Sequence, residues 1–187
     1  MGALALGLGM ALLGLVLGLG TAWVPWSRIQ TAGEVPPIHD ITTDTEDPPA
    51  FVDVVPLRAD APNPVEHGGA EVAEQQRAGY PDLETVGLTV APDRAFAAAL
   101  EAAREMGWEI VAAEPDEGRI EATATTFWFG FKDDVVVRVR PAPAGGSELD
   151  VRSLSRVGGS DLGTNARRIR AYLEVLDRRL EAEAAGG

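Results

Sequence analysis

The chain contains no cysteine and only two histidines, His39 and His67. Without cysteine it has no disulfide, no thiolate nucleophile, no cysteine-ligated zinc and no lipidated N-terminal cysteine. Two histidines also offer little to a histidine-based metal site or a catalytic triad. We therefore predict no metal site and no cofactor.

Basic residues are scarce over most of the chain, whose formal net charge is −13. Residues 28–131 carry 6 basic and 20 acidic side chains, whereas residues 132–187 carry 10 and 9. Phosphate neutralisation dominates nucleic-acid binding, so an acidic chain without a basic face is not expected to bind nucleic acid. The 187 residues leave room for one soluble domain after an apolar N-terminus.

Residues 3–26 contain no charged side chain. As a helix they would extend about 36 Å, enough to cross a hydrocarbon core of about 30 Å. Trp23 and Trp26 fall where an interfacial aromatic belt would lie. A cleaved signal peptide is the alternative, but the run lacks a basic start and a clear small-residue cleavage site. We therefore expect residues 1–28 to form a retained transmembrane anchor.

Proline changes the character of the next stretch, since nine of the 13 prolines lie between Pro25 and Pro81. Proline fixes φ and keeps its predecessor out of helix, which predicts extended chain. A plain linker would be rich in glycine and serine, but this stretch also contains isoleucine, valine and Phe51. We expect residues 29–82 to pack along a domain formed by residues 83–187.

Acidic side chains cluster within residues 38–51. Their oxygens suit a hard cation such as calcium, although the spacing fits no EF-hand loop. Asp and Thr also bond to their own backbone in turns and caps, and we predict this second role. The residues concerned are His39, Asp40, Asp44, Glu46 and Asp47.

From residue 83 the pattern is that of a globular domain. Alternating and short apolar runs predict five strands, and Pro92 opens a helix that Gly107 ends. The order β-α-β-β-β-β-α predicts an α+β fold, with an antiparallel sheet of about five strands and two helices on one face. An apolar stripe in the last helix should face the sheet. The stripe consists of Ile169, Tyr172, Leu173, Leu176 and Leu180.

Four aromatic residues surround one glycine between the third and fourth predicted strands. At an exposed hairpin tip they would form an apolar patch of the kind that contacts a partner or a membrane. If the strands are longer, the rings instead cap the core or line a cavity under the helices. The residues are Phe127, Trp128, Phe129 and Phe131.

The stretch Asp150–Asn165 is the best candidate site. It begins as a strand, turns at Gly158 and Gly159, and leads into the last helix, whose N-terminal N–H groups favour an anion. The candidate ligand-binding residues are Arg152, Ser153, Ser155, Arg156, Ser160, Asp161, Asn165 and Arg168.

The same stretch also carries a structural expectation. Ser160 or Asp161 should cap the last helix. Asn165 or Arg168 should bond back to the strand through Ser153 or Ser155.

Five motifs carry a family resemblance: PPIHDITTD at 36–44, MGWEI at 106–110, IEAT at 120–123, FGFKDDVVVR at 129–138 and the long motif at 150–169. Together they resemble the domain-of-unknown-function (DUF) 1499 family. The resemblance implies a membrane-associated or envelope protein of bacteria, with the soluble domain outside the cytoplasm. It implies no activity and no catalytic residue.

A second likeness is architectural. Residues 90–100, the GWEI motif and a long C-terminal helix are similar to helix-grip domains, some of which bind lipids. This likeness implies an apolar cavity between sheet and helix, but fold alone does not give function.

Two functions are compatible with the sequence. The first is a membrane-anchored, non-catalytic binding or assembly module of the cell envelope, with a lipid or another anionic ligand. The alternative is a hydrolase-type enzyme that acts on an anionic or lipid-derived substrate at the Asp150–Asn165 loop. Arg152, Arg156 and Arg168 would then bind the anion, with Asp161 or His39 as acid or base. Because no activated nucleophile is visible, we expect the first. The sequence does not predict the oligomeric state.

Overall fold

The computed structural model describes residue 14 and residues 35–126 and 130–186. Pro37–Gly187 forms one compact unit. Its described residues form six strands, three α-helices and a short 3-10 helix. In chain order these are β1 (Asp40–Thr42), the 3-10 helix (Val55–Arg58), α1 (Gly69–Gly79), β2 (Val86–Leu88), α2 (Pro92–Glu105), β3 (Glu109–Glu114), β4 (Arg119–Thr125), β5 (Lys132–Pro141), β6 (Ser147–Ser155) and α3 (Thr164–Gly186).

The six strands form one antiparallel sheet in the order β1-β6-β5-β4-β3, with β2 also paired to β6. β1 pairs with residues 152–154 and β2 with residues 147–149, so these two short strands share one edge of β6.

The α+β class and the antiparallel sheet are therefore confirmed, but the predicted counts need correction. The prediction of about five strands omitted β1, which has only three residues and is defined by its pairing with β6. The prediction of two helices omitted α1, which buries only Ala73 and Gln76 and so shows no apolar stripe in the sequence.

Two helices, α2 and α3, pack together on one face of the sheet. Pro92 occupies the first turn of α2, where no N–H is needed, and Gly107 follows its end with a φ of 72°. Between the helices and the sheet, the ring of Tyr172 stacks on Trp108 with 5.0 Å between centroids. The Tyr172 hydroxyl donates to the Ala99 carbonyl at 3.0 Å, so this buried polar atom is satisfied.

The apolar stripe of α3 is confirmed in part. Ile169, Tyr172 and Leu176 are at most 1% exposed. Leu173 and Leu180, however, are only half-buried, and Val175 is buried instead. The prediction was wrong at these positions because the buried line of α3 runs through Ile169, Tyr172, Val175 and Leu176, and Leu173 and Leu180 lie beside this line.

Strand pairing assigns the side chains of β5 and β6 to two faces. Val135 lies opposite Ser153 and Val136 lies opposite Arg152, and side chains along a strand alternate between faces. Val135 and Ser153 belong to the face that α2 and α3 cover, which we call the helix face. Val136 and Arg152 belong to the opposite face, which we call the charged face.

Residues 43–65, which we call the covering segment, lie across the charged face. Phe51 and Val54 pack in one buried cluster with Val136 and Leu154 of the sheet. The Glu121 carboxylate of β4 accepts the N–H groups of residues 52 and 54 at 2.8 and 2.9 Å. Both faces of the central strands are therefore buried.

No helix among the described residues is long and apolar enough to cross a membrane. The predicted anchor, residues 3–26, lies outside the described residues. Phe127, Trp128 and Phe129 also lie outside them, whereas Phe131 is described and is 52% exposed.

The side chain of Gln76 closes the edge of β1. Its Oε1 accepts the Thr42 N–H at 2.9 Å and its Nε2 donates to the Thr42 carbonyl at 2.5 Å. Gln76 is fully buried. One amide of α1 thus replaces a missing neighbouring strand and protects an exposed sheet edge.

We predict that Gln76→Leu lowers the free energy of unfolding by about 1–3 kcal/mol, because the buried N–H and carbonyl of Thr42 lose their partners. Gln76→Glu should also destabilise, since a carboxylate accepts the N–H but offers no donor to the carbonyl. Gln75→Leu is the matched control on the same helix and should change stability little. Urea unfolding of the full chain measures all three, and equal stability of Gln76→Leu and the control would contradict the bridging role.

Candidate functional site

The predicted ligand-binding residues lie in β6, in the loop after it and in the first turns of α3, and both faces of β6 are buried. Alternation directs Arg152 toward the charged face and Ser153 and Ser155 toward the helix face. The predicted site is therefore divided between two faces of one strand.

Arg152 is 3% exposed beneath the covering segment. Its Nε and Nη2 atoms donate to the two carboxylate oxygens of Asp40 at 2.9 and 2.8 Å. It also donates to the carbonyls of Pro49 at 3.1 Å and Val65 at 2.7 Å. The ring of Phe51 lies 4.9 Å from its guanidinium carbon. Four of its five N–H groups are used, so Arg152 joins β1, β6 and two separate points of the covering segment.

Asp134 of β5 is fully buried between two arginines. Arg156 donates to its two oxygens at 2.9 and 2.8 Å, and Arg58 of the 3-10 helix donates at 2.5 Å. The hydrogen bond to Asp134 raises the pKa of Arg156 above its ordinary value. Arg156 also donates to the Leu57 carbonyl at 2.9 Å. This cluster fixes the 3-10 helix against the end of β5.

Asp150 occupies the other end of the charged face. It accepts from Arg138 and Arg140, each at 3.0 Å, and from the Thr85 hydroxyl at 2.6 Å. Arg138 also pairs with Asp44 at 3.0 Å. β6, β5 and the start of the covering segment are thereby linked.

The acidic side chains of residues 38–51 do not gather at one point in the structure, because they pair with different arginines. Asp40 pairs with Arg152, Asp44 and Asp47 pair with Arg138, and Glu46 pairs with Arg77. The predicted turn chemistry is confirmed, because an oxygen of Asp44 accepts the N–H groups of residues 46 and 47 at 3.1 and 2.9 Å. In the part of the chain that the structure describes, no group of three or more His, Asp or Glu residues could hold a metal ion.

On the helix face, Asn165 links β6 to α3. Its Oδ1 accepts from the Ser153 hydroxyl at 2.8 Å, and its Nδ2 donates to the Ser155 hydroxyl at 3.0 Å and to the His39 carbonyl at 2.9 Å. Arg168 donates to the Ser153 hydroxyl at 2.9 Å and pairs with Asp133. The prediction that Asn165 and Arg168 bond back to the strand is confirmed.

Asp161 caps α3, as predicted. Its carboxylate accepts the N–H groups of Gly163 at 2.9 Å and Asn165 at 2.6 Å. Burial raises the pKa of Asp161, while these two hydrogen bonds oppose the rise. Gly158 has a φ of 90°, which favours glycine, whereas Gly159 has no positive φ.

Ser160 contributes to the same loop. Its hydroxyl accepts the Leu162 N–H at 3.3 Å. Leu162 itself has a φ of 52°, in the left-handed region that side chains other than glycine rarely adopt. The loop is thus fixed by its own side chains on the way from β6 to α3.

The eight predicted residues do not converge on one ligand position. Two lie on the charged face, four belong to the network on the helix face, and two lie in the loop. Arg152, Arg156 and Arg168 are each paired with a different carboxylate. The sequence did not single out the carboxylate partners of these arginines, nor two further charged residues of the charged face. These residues are Asp40 as an arginine partner, Asp133, Asp134, Glu121 and Arg58.

Two adjoining surface clefts lie beside the covering segment. They measure about 440 and 330 Å³, and Pro48 and His67 line both of them. The Nδ1 atom of His67 accepts the Gly69 N–H at 3.2 Å, and burial lowers the pKa of His67. Its buried Nε2 atom has no hydrogen-bond partner among the described residues. No sequence pattern pointed to a role for His67.

We predict strong coupling between Arg152 and Asp40 in a double-mutant cycle. Arg152→Met and Asp40→Leu should each cost about 3–5 kcal/mol, because each leaves a buried charge unpaired. The double variant should cost clearly less than the sum.

The exposed pair Arg94–Glu183, with side chains 56% and 47% exposed, provides the matched control cycle. Its coupling should be below about 1 kcal/mol. Urea unfolding of the full chain measures both cycles. Additive losses for Arg152 and Asp40 would show that this pair does not hold the covering segment.

A family of known proteins matches nearly the same residues as the compact unit Pro37–Gly187. The chain matches the family described as a protein of unknown function (DUF1499) over residues 40–176. The match begins at the first residue of β1, includes the covering segment and the whole sheet, and ends within α3. A comparison with curated proteins gives no match. The match covers the greater part of the chain, including β6 and the loop after it. The chain therefore belongs to the DUF1499 family.

Proposed function

We propose that the protein is a membrane-anchored, non-catalytic binding or assembly module of the cell envelope. Residues 3–26 are the anchor, and the folded domain lies outside the cytoplasm. The non-catalytic role is supported by one observation: the charged groups at the candidate site are paired with one another.

A hydrolase would need cations that can reach a substrate and an acid or base that is not engaged in structure. Arg152, Arg156 and Arg168 are instead paired with carboxylates. The Asp161 carboxylate accepts two backbone N–H groups at the start of α3. These contacts support a structural role for the loop.

We still propose a lipid or another anionic ligand. We do not propose that Arg152, Arg156 and Arg168 bind it as an anion between them. Paired guanidinium groups have little capacity for a further anion. A lipid that contacts the surface of the domain is more compatible with arginines that are already paired with carboxylates.

The helix-grip likeness is also part of the proposal. It is supported by the packing of α2 and α3 together on one face of an antiparallel sheet. The clefts at His67 lie beside the covering segment, away from the helix face.

We predict that the full-length protein stays in the membrane fraction after an alkaline wash. The double variant Leu13→Arg/Leu15→Arg should lose this retention, because each arginine near the centre of a membrane helix costs about 2.5–3.5 kcal/mol. The control Leu13→Val/Leu15→Val should be retained like the original chain. A soluble product that begins near residue 23 would contradict the anchor, and a reporter fused after Gly187 would test the side of the membrane.

A further inference from the structure

One end of the sheet carries three exposed apolar side chains. Leu57 is 54% exposed, Phe131 is 52% exposed and Val157 is 41% exposed. We call these three residues the apolar end.

The backbone brings the three residues together. The Arg156 N–H donates to the Lys132 carbonyl at 3.1 Å, so Phe131 and Val157 each adjoin this pair of residues. The Leu57 carbonyl accepts from the Arg156 guanidinium at 2.9 Å. Apolar side chains from the residue before β5, from the chain after β6 and from the 3-10 helix thus border the same end of the sheet.

The chain also enters the domain at this end. The Ser155 N–H donates to the His39 carbonyl at 3.0 Å, and the Asp161 N–H donates to the Ile38 carbonyl at 3.1 Å. Ten residues, 27–36, separate the uncharged run from Pro37. Ten residues span at most about 35 Å. The uncharged run therefore ends within about 35 Å of the apolar end, measured along the chain.

Lys132 is the only lysine of the chain and is exposed beside Phe131. It forms no ion pair with any carboxylate of the described residues. A long cationic side chain next to exposed apolar groups suits a lipid interface, where the stem lies among apolar groups and the ammonium group reaches the headgroups.

We infer that the apolar end rests in the interface of the bilayer that holds the anchor, with Lys132 at the level of anionic headgroups. This inference rests on the proposed membrane anchor. A protein partner is a poorer fit, because a stable protein interface buries about 1,000 Å² or more, far above what three side chains supply.

The absence of cysteine makes a direct test simple, since single cysteines can be labelled without a background. Leu57→Cys and Val157→Cys, each carrying an environment-sensitive fluorophore, are placed in the full chain. The chain is reconstituted into phosphatidylcholine–phosphatidylglycerol vesicles that contain acyl-chain-brominated lipid as quencher.

Two labelled positions serve as controls. Val52→Cys lies in the same covering segment and the native side chain is 52% exposed, but its N–H bonds to Glu121 in the middle of the sheet. Ala144→Cys lies in the turn at the opposite end of β5, a strand of 10 residues. At about 3.3 Å per residue that turn is roughly 30 Å from the apolar end.

Labels at positions 57 and 157 should be quenched at least about twofold more strongly than those at positions 52 and 144, because interfacial groups lie about 5–10 Å into the headgroup and acyl boundary. Equal quenching at all four positions, with the protein still bound to the vesicles, would overturn the inference alone. Protein that separates from the vesicles would overturn the anchor proposal and the inference with it. Shielding of position 57 that depends on protein concentration and not on brominated lipid would indicate contact between copies, and would also overturn it.

Discussion

A charge buried between two layers of protein must have a partner, and this constraint organises the charged face of the sheet. Asp40, Glu121, Asp134 and Asp150 are each at most 4% exposed. An unpaired ion in such a position costs several kcal/mol even after relaxation. Each carboxylate therefore requires donors from a neighbouring element, and many of these donors lie in the covering segment. Residues rich in proline thus become part of the folded domain without a helix or strand across most of their length.

The same constraint sets the register of the sheet. Moving β6 by one residue against β5 would exchange the two faces and place Arg152 among the apolar side chains beneath α2 and α3. The observed register places Asp40 opposite Leu154, on the same face as Arg152 and within hydrogen-bonding reach of its guanidinium group. The loop after β6 then completes the arrangement, since Asn165 bonds to Ser155 and to the backbone of His39. The stretch that resembles a ligand site therefore fixes where the chain enters the domain and where α3 begins.

Local features of the fold could be predicted from the sequence. Alternating valines indicated β5, and Pro92 and Gly107 marked α2. Ser160 or Asp161 was expected to cap α3 because short polar side chains satisfy helix N–H groups. β1 could not be predicted, since three residues carry no periodic signal and their partner strand lies more than a hundred residues away. The same separation hid the ionic partners: Arg152 was conspicuous, but its pairing with Asp40 depends on the tertiary fold. Charged residues within a strand that is otherwise valine-rich, such as Asp134, were the available signal for a second covered face.

Native-state hydrogen exchange tests the role of the covering segment most directly. The N–H groups of Val52 and Val54 bond to the buried carboxylate of Glu121, at 2.8 and 2.9 Å. If the covering segment belongs to the same cooperative unit as the sheet, these two amides should exchange with opening free energies within about 1 kcal/mol of the β5–β6 ladder. Opening free energies lower than those of the ladder by more than about 2 kcal/mol would contradict this, because they would mean that the segment detaches while the charged face beneath it stays folded.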